Sequence, residues 1–294
     1  MATILDLIGN TPLVELNNIN PKPGKVKLYG KLEGNNPGGS VKDRAAYSMI
    51  SEALRRGEIT KNTKLIEATS GNTGIALAMI ASLFEIEIEL VMPENSTIER
   101  VKTMRAYGAT VTLTPKEVSI EGSRDYAEEQ AKKHGYVILN QFGNPDNYKA
   151  HYRTTGPEIY RDTNEEITHF VSAMGTTGTI MGVSRYLKEQ NEAIQIVGAQ
   201  PKDGARIPGI RKWPEEYLPK IFERERVDQI VDVSQEDATE MTLRLAKEEG
   251  VFAGMSSGGS AYSATKVVEQ LDSGVVVCII CDRGDRYLSS ELYT

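Results

Sequence analysis

Cysteine is nearly absent: the 294 residues include two, Cys278 and Cys281. Two thiols cannot staple a fold, and a chain this long buries a core without staples. Their Cys-x-x-Cys spacing resembles a zinc or redox pair, but a structural zinc takes four ligands and no second pair exists. They lie in Val275-Val276-Val277-Cys278-Ile279-Ile280-Cys281, which reads as a buried strand, where residues three apart face opposite sides. Histidine is also scarce. His134, His151 and His169 share no metal-ligand spacing, each reads as a packing or surface residue, and no metal is expected. Positive charge is not in excess: Lys+Arg 34 against Asp+Glu 41 gives a net charge of −7, unlike a general nucleic-acid binder. The chain opens with no basic region followed by an apolar stretch. Its longest apolar-rich run, Ile75 to Phe84, falls short of the roughly 20 residues of a membrane span. A cytoplasmic protein without membrane or nucleic-acid partners is expected. No Gly-Lys-Ser/Thr nucleotide loop and no Gly-x-Gly-x-x-Gly occurs, which argues against nucleotide and dinucleotide sites.

What is present is a globular composition, 26% charged and 39% hydrophobic, with strand and helix patterns alternating from residue 40 onward. That alternation predicts α/β architecture with mostly parallel sheets. Strands are expected at 64–68, 86–90, 111–113, 136–139, 167–173, 194–199 and 275–281. Ile86, Ile88 and Leu90 alternate with glutamates as in a half-exposed strand. Helices are expected at 72–84, 122–134, 180–187, 235–249 and 259–271, and another ends near Gly108 with a capping box of Ser96 and Glu99. The turn formers of Gln141-Phe142-Gly143-Asn144-Pro145-Asp146-Asn147 mark a domain crossover. This gives an N-terminal α/β domain, 1–145, and a C-terminal one, 146–294, with a ligand cleft between them.

Several loops carry chemistry. In Gly38-Gly39-Ser40-Val41-Lys42-Asp43-Arg44, Ser40 and Asp43 have capping-box spacing ahead of an apolar helical face. Lys42 then lies in a first turn, where the helix dipole disfavours a cation and favours the neutral amine of Schiff-base chemistry. By itself the segment reads more readily as a solvated surface lysine, the usual fate of that residue. Thr69-Ser70-Gly71-Asn72-Thr73-Gly74 lies between a strand and a helix. It is either an ordinary capped turn or an anion site for a carboxylate or phosphate. Gly175-Thr176-Thr177-Gly178-Thr179 favours a phosphate, because three threonines in a glycine turn serve little packing purpose. Gly254-Met255-Ser256-Ser257-Gly258-Gly259 opens another helix, and Cys281-Asp282-Arg283-Gly284-Asp285-Arg286-Tyr287 follows the last strand.

Together with Ile8-Gly9-Asn10-Thr11-Pro12-Leu13, these loops match, in order and approximate spacing, the fold-type II pyridoxal-phosphate enzymes and within them the cysteine synthases. The resemblance spans nearly the whole chain. It implies a tryptophan synthase β-like fold of two three-layer α/β domains with twisted sheets, segment 13–34 pairing with the sheet of the second. It implies pyridoxal 5'-phosphate as cofactor, with Lys42 as the Schiff-base lysine and the acid or base acting on substrate. Asn72 would meet the ring hydroxyl, Gly175, Thr176, Thr177, Gly178 and Thr179 the phosphate, and Ser256 the ring nitrogen. Thr69, Ser70, Gly71 and Thr73, with Gln141, would bind the substrate α-carboxylate. A homodimer acting on small molecules is implied as well.

Ile207-Pro208-Gly209-Ile210-Arg211-Lys212-Trp213 is similar to the B-type branch, in which Arg211 and Lys212 would draw an anionic co-substrate. Arg-Arg is frequent in that branch where this chain has Arg211-Lys212, and lysine lacks the bidentate fork. The implied reaction converts O-acetylserine, or O-phosphoserine, plus sulfide or thiosulfate to L-cysteine or S-sulfocysteine through an aminoacrylate. The alternatives are an A-type cysteine synthase, a cystathionine β-synthase-like activity, and a non-catalytic protein of the same fold.

Overall fold

Short, strongly apolar runs set the frame of the molecule, seen here in a computed structural model that describes residues 1–69 and 71–293. In chain order the elements are β1 (Leu13–Glu15), β2 (Val26–Leu32), α1 (Lys42–Arg56), β3 (Leu65–Ala68), α2 (Asn72–Leu83), β4 (Ile88–Pro93), α3 (Ile98–Ala106), β5 (Thr110–Thr114) and α4 (Ser119–His134). There follow α5 (Pro145–Arg153), α6 (Thr155–Asp162), β6 (His169–Ala173), α7 (Gly178–Gln190), β7 (Gln195–Pro201), β8 (Gln229–Val233), α8 (Gln235–Glu249), α9 (Met255–Gln270) and β9 (Gly274–Ile280).

Two sheets result. One is three-stranded and parallel, in the order β3-β4-β5. The other is six-stranded, β1-β2-β9-β6-β7-β8, parallel except for the antiparallel edge pair β1–β2. The N-terminal strands thus join the sheet built by the second half, with β2 beside β9 from Val26↔Gly274 to Leu32↔Ile280. Helices cover both sheets, so the central strands are buried on both faces, as parallel sheets require. Helix α2 is buried at every position from Thr73 to Ala81, which suits its apolar, glycine- and alanine-rich surface.

The structure corrects several sequence expectations. β4 is buried along its whole length, because it is the central strand of its sheet. Its Glu89 is kept there by Lys64, 3.3 Å away, and by the Thr112 hydroxyl at 2.8 Å. Residues 136–139 form a single bridge, Val137 to Leu65, and then leave the sheet. Ser96 and Glu99 make no capping box. Thr97 is the N-cap of α3, and the Glu99 carboxylate accepts from Ser289 instead.

Candidate active site

The cleft opens at the C-terminal ends of β3, β6 and β9, where α/β sheets place their ligand sites. Its volume is about 1210 Å³, and Lys42, Thr69, Asn72, Gln141, Gly175 and Ser256 are among the residues that line it.

Lys42 is the first residue of α1, and its N–H donates to Ser40 Oγ at 3.2 Å. The Ser40–Asp43 capping box does not form. Asp43 turns back to accept from the Gly38 N–H at 2.5 Å, and a Cβ on Gly38 would lie 2.6 Å from that carboxylate, so the turn needs glycine. Burial pushes the Asp43 carboxyl up to about 7. The next residue, Arg44, is buried against Glu33 (2.7 Å) and Glu158 (2.6 Å), and Glu158 also pairs with the buried Lys31 at 2.9 Å. This ion cluster ties the head of α1 to β2 and α6.

Thr69 continues β3 through its N–H to the Val91 carbonyl at 3.0 Å, and Gly71 is the N-cap of α2. The start of α2 lines the cleft with Gly71, Asn72 and Thr73, and a helix N-terminus is a setting suited to a carboxylate. Thr73 Oγ1 donates to Gln141 Oε1 at 2.7 Å, which brings two of the expected carboxylate residues together. Ser70, another of them, lies outside the described residues. Both ends of the Asn72 amide are held: Nδ2 donates to Asp282 at 2.7 Å, and Oδ1 accepts from Arg286 at 2.6 Å. Arg286 also donates to the Gly38 carbonyl, so one guanidinium braces the Asn72 loop and the Lys42 loop. The charge run after β9 supplies these partners. Its position at a strand end was the signal for them, but their contact with Asn72 crosses 210 and 214 residues and leaves no local trace.

The Gly175–Thr179 loop links β6 to α7. Thr177 is the N-cap of α7 in the left-handed region (φ 68), and its buried hydroxyl has no hydrogen-bond partner among the described residues. A Cβ on Gly175 would lie 2.7 Å from the Gly209 carbonyl. An orphaned hydroxyl beside a helix N-terminus, in a loop that allows close backbone approach, fits a phosphate group. Second-layer residues set this loop. Asn147 Nδ2 donates to Thr176 Oγ1 (3.2 Å) and to the Gln141 carbonyl (2.7 Å), and Thr179 Oγ1 meets His151 Nε2 at 3.3 Å. Burial, reinforced by the Arg44 charge, pushes the His151 imidazole down to about 3, so it serves as a neutral relay to Thr155. The sequence marked His151 as packing or surface. It is packing, with a polar duty towards the loop.

Ser256 is buried near the start of α9 and lines the cleft. Cys278 and Cys281 both lie in the buried wall around β9, each among different core neighbours. At the rim, the Arg211 guanidinium lies 5.3 Å from the Trp213 ring, which meets Phe142 edge-on at 5.4 Å, and Arg124 covers Phe142 at 4.6 Å. Lys212 faces outward to Asp203 at 2.7 Å. Arg124 was not among the expected residues, because its helix α4 reads as an ordinary charged surface helix.

The site so built brings the Lys42 amine, the Gly175–Thr179 loop, the start of α2 and the Ser256 hydroxyl around one space. The family model described as pyridoxal-phosphate dependent enzyme matches residues 4–282. The chain is 57% identical over 293 residues to cysteine synthase B of Pseudomonas aeruginosa, covering 99% of this chain and 97% of that one. It is 56% identical to cysteine synthase B of Escherichia coli, covering 100% and 96%. The crystal structure of cysteine synthase from Entamoeba histolytica superposes with a TM-score of 0.94 at 35% identity, covering 100% of this chain and 90% of that one.

Proposed function

From the premise that this chain belongs to the pyridoxal-phosphate dependent enzymes, we propose that its cleft performs a β-replacement on an O-activated L-serine. Cysteine formation from O-acetylserine is the activity that its full-length similarity to cysteine synthases carries. The leaving group departs from the β-carbon and a sulfur nucleophile takes its place. Sulfide gives L-cysteine, and thiosulfate gives S-sulfocysteine.

Pyridoxal phosphate supplies an electron sink that acidifies the substrate α-carbon. The residues that would hold it are Lys42 through Nζ, Asn72 at the ring hydroxyl, Gly175–Thr179 at the phosphate and Ser256 at the ring nitrogen. The Ser256 hydroxyl is neutral. It can donate to the nitrogen without fixing a positive charge there, which disfavours transamination and racemisation. Lys42 Nζ removes the α-proton and returns it to the same carbon. Thr69, Ser70, Gly71, Thr73 and Gln141 bind and orient the α-carboxylate. Arg211 adds positive charge for an anionic donor, and Lys212, paired with Asp203, adds less. Residues 1–145 and 146–294, with segment 13–34 moving with the second, act as two domains that close over the substrate and exclude water. The enzyme works as a homodimer in the cytoplasm.

One observation supports this reading above the others: Lys42 at the head of α1 shares a cleft with the loops after β3 and β6 and the start of α9. The test offers the holoenzyme O-acetylserine with sulfide, thiosulfate or homocysteine, and separately O-phosphoserine with sulfide. L-Cysteine and S-sulfocysteine are expected, with ping-pong kinetics. Cystathionine as the main product would overturn it.

A further inference from the structure

The chain after α4 runs alongside β3 for a short distance. The Ile66 N–H donates to the Val137 carbonyl and the Val137 N–H to the Lys64 carbonyl, both at 3.0 Å, as in a parallel ladder. The ladder then stops. The next backbone donors, Leu139 N–H and Asn140 N–H, go instead to one oxygen of the Glu67 side chain, at 3.1 and 3.3 Å. Asn140 takes a left-handed conformation (φ 56), and its carbonyl accepts from Gly143 N–H at 3.0 Å and Asn144 N–H at 2.9 Å. Residues 139–144 are thereby turned off the sheet into the cleft. Gln141 lies in this turn, with its side chain on Thr73 and its carbonyl on Asn147.

We infer that Glu67 is a positioning residue: by capping Leu139 and Asn140 it aims Gln141 at the substrate α-carboxylate. This rests on the cysteine synthase reading above and deepens it. A carboxylate oxygen has the lone pairs to accept two successive N–H groups, which no apolar strand residue offers. Glu67 is buried, and burial pushes its carboxyl up to about 7, against the pull of the backbone N–H groups of residues 139–141 and of Arg124. Burying such a group is unfavourable unless its hydrogen bonds are needed. Glu67 is the last residue but one of β3, directly before the Thr69 loop, so the same strand end sets both halves of the carboxylate site.

The test compares Glu67→Leu, which keeps the bulk and removes the acceptor, with Glu67→Gln, whose single carbonyl oxygen can still take both amides. In the holoenzyme, Glu67→Leu should raise the KM for O-acetylserine by about tenfold, the scale of one lost hydrogen-bonded contact, with kcat and the cofactor Kd within about threefold. Glu67→Gln should return that KM to within about threefold of the wild type. In a Gln141→Ala background, Glu67→Leu should add less than about twofold, because the two changes act through one group. If Glu67→Leu does not fold, Glu67→Asp carries the same test, since its shorter side chain withdraws the accepting oxygen from both amides. An unmoved KM in the Leu or Asp variant, or an undiminished effect in the Gln141→Ala background, overturns the inference. Absence of cysteine formation by the wild type sinks both readings; cysteine formation with an unmoved KM sinks this one alone.

Discussion

Cys281 shows burial and charge pulling a side chain in opposite directions. It lines the cleft, and the Lys42 charge lowers its pKa, yet burial dominates and pushes the thiol up to about 12. Cys278, deeper in the wall, is pushed up to about 12 as well. At pH 8 both therefore stay overwhelmingly in the unreactive thiol form. Iodoacetamide at that pH should leave both unmodified in the native protein and alkylate both after denaturation, as read by intact mass. Fast alkylation of native Cys281 would contradict its assignment as wall rather than reagent. At this scale the threonine-rich glycine turn reads as an anion loop by itself, whereas the lysine after Gly-Gly-Ser and the serine at a helix start take their meaning only from the family resemblance. The partners of such residues are not legible. Asp43 has the spacing of a cap and caps Gly38 instead, and Asn72 depends on Asp282 and Arg286 from the far end of the chain.

Among the elements, α1 shows how the helix that carries Lys42 is anchored. Glu158 of α6 accepts from Arg44, pairs with Lys31 and caps the Asn10 N–H at 3.0 Å. Against the upward push of burial, Arg44 and then Lys31 hold its carboxyl down to about 2. Because the folded value lies below the unfolded one, the stability this group adds is present above about pH 4.5 and is lost as pH falls towards about 2. Removing it leaves two buried cations short of a partner. Glu158→Ala should therefore cost about 3–5 kcal/mol in urea unfolding at neutral pH, with the deficit shrinking in acid. A change below about 1 kcal/mol would show the cluster to be dispensable. The same cluster sets β2, which was expected only through the resemblance: Lys27 and Lys31 alternate with Val26, Leu28 and Leu32, and only the distant Glu158 and Asp162 make Lys31 an interior residue. Helices α8 and α9 were legible from their periodicity and α4 from its Gly135 terminator. The short α5 and α6 follow a turn-rich segment and have little pattern of their own.

At the scale of the whole molecule, two sheets of different origin face one cleft, and each contributes what the other lacks. The three-stranded sheet brings Thr69, Asn72 and Thr73, while the six-stranded sheet brings the Gly175–Thr179 loop and the wall around β9. The α/β class was legible because helix and strand periods alternate along the chain. The return of β1 and β2 to the distant sheet was expected only through family resemblance, since register between residues 26 and 274 cannot be read from either segment alone. The whole account depends on the amine at the head of α1 condensing with the cofactor. Borohydride reduction of the holoenzyme followed by peptide mapping tests it directly. One pyridoxyl group per chain on the peptide containing Lys42, absent from Lys42→Ala, is the predicted result; an adduct on another residue, or none, contradicts it.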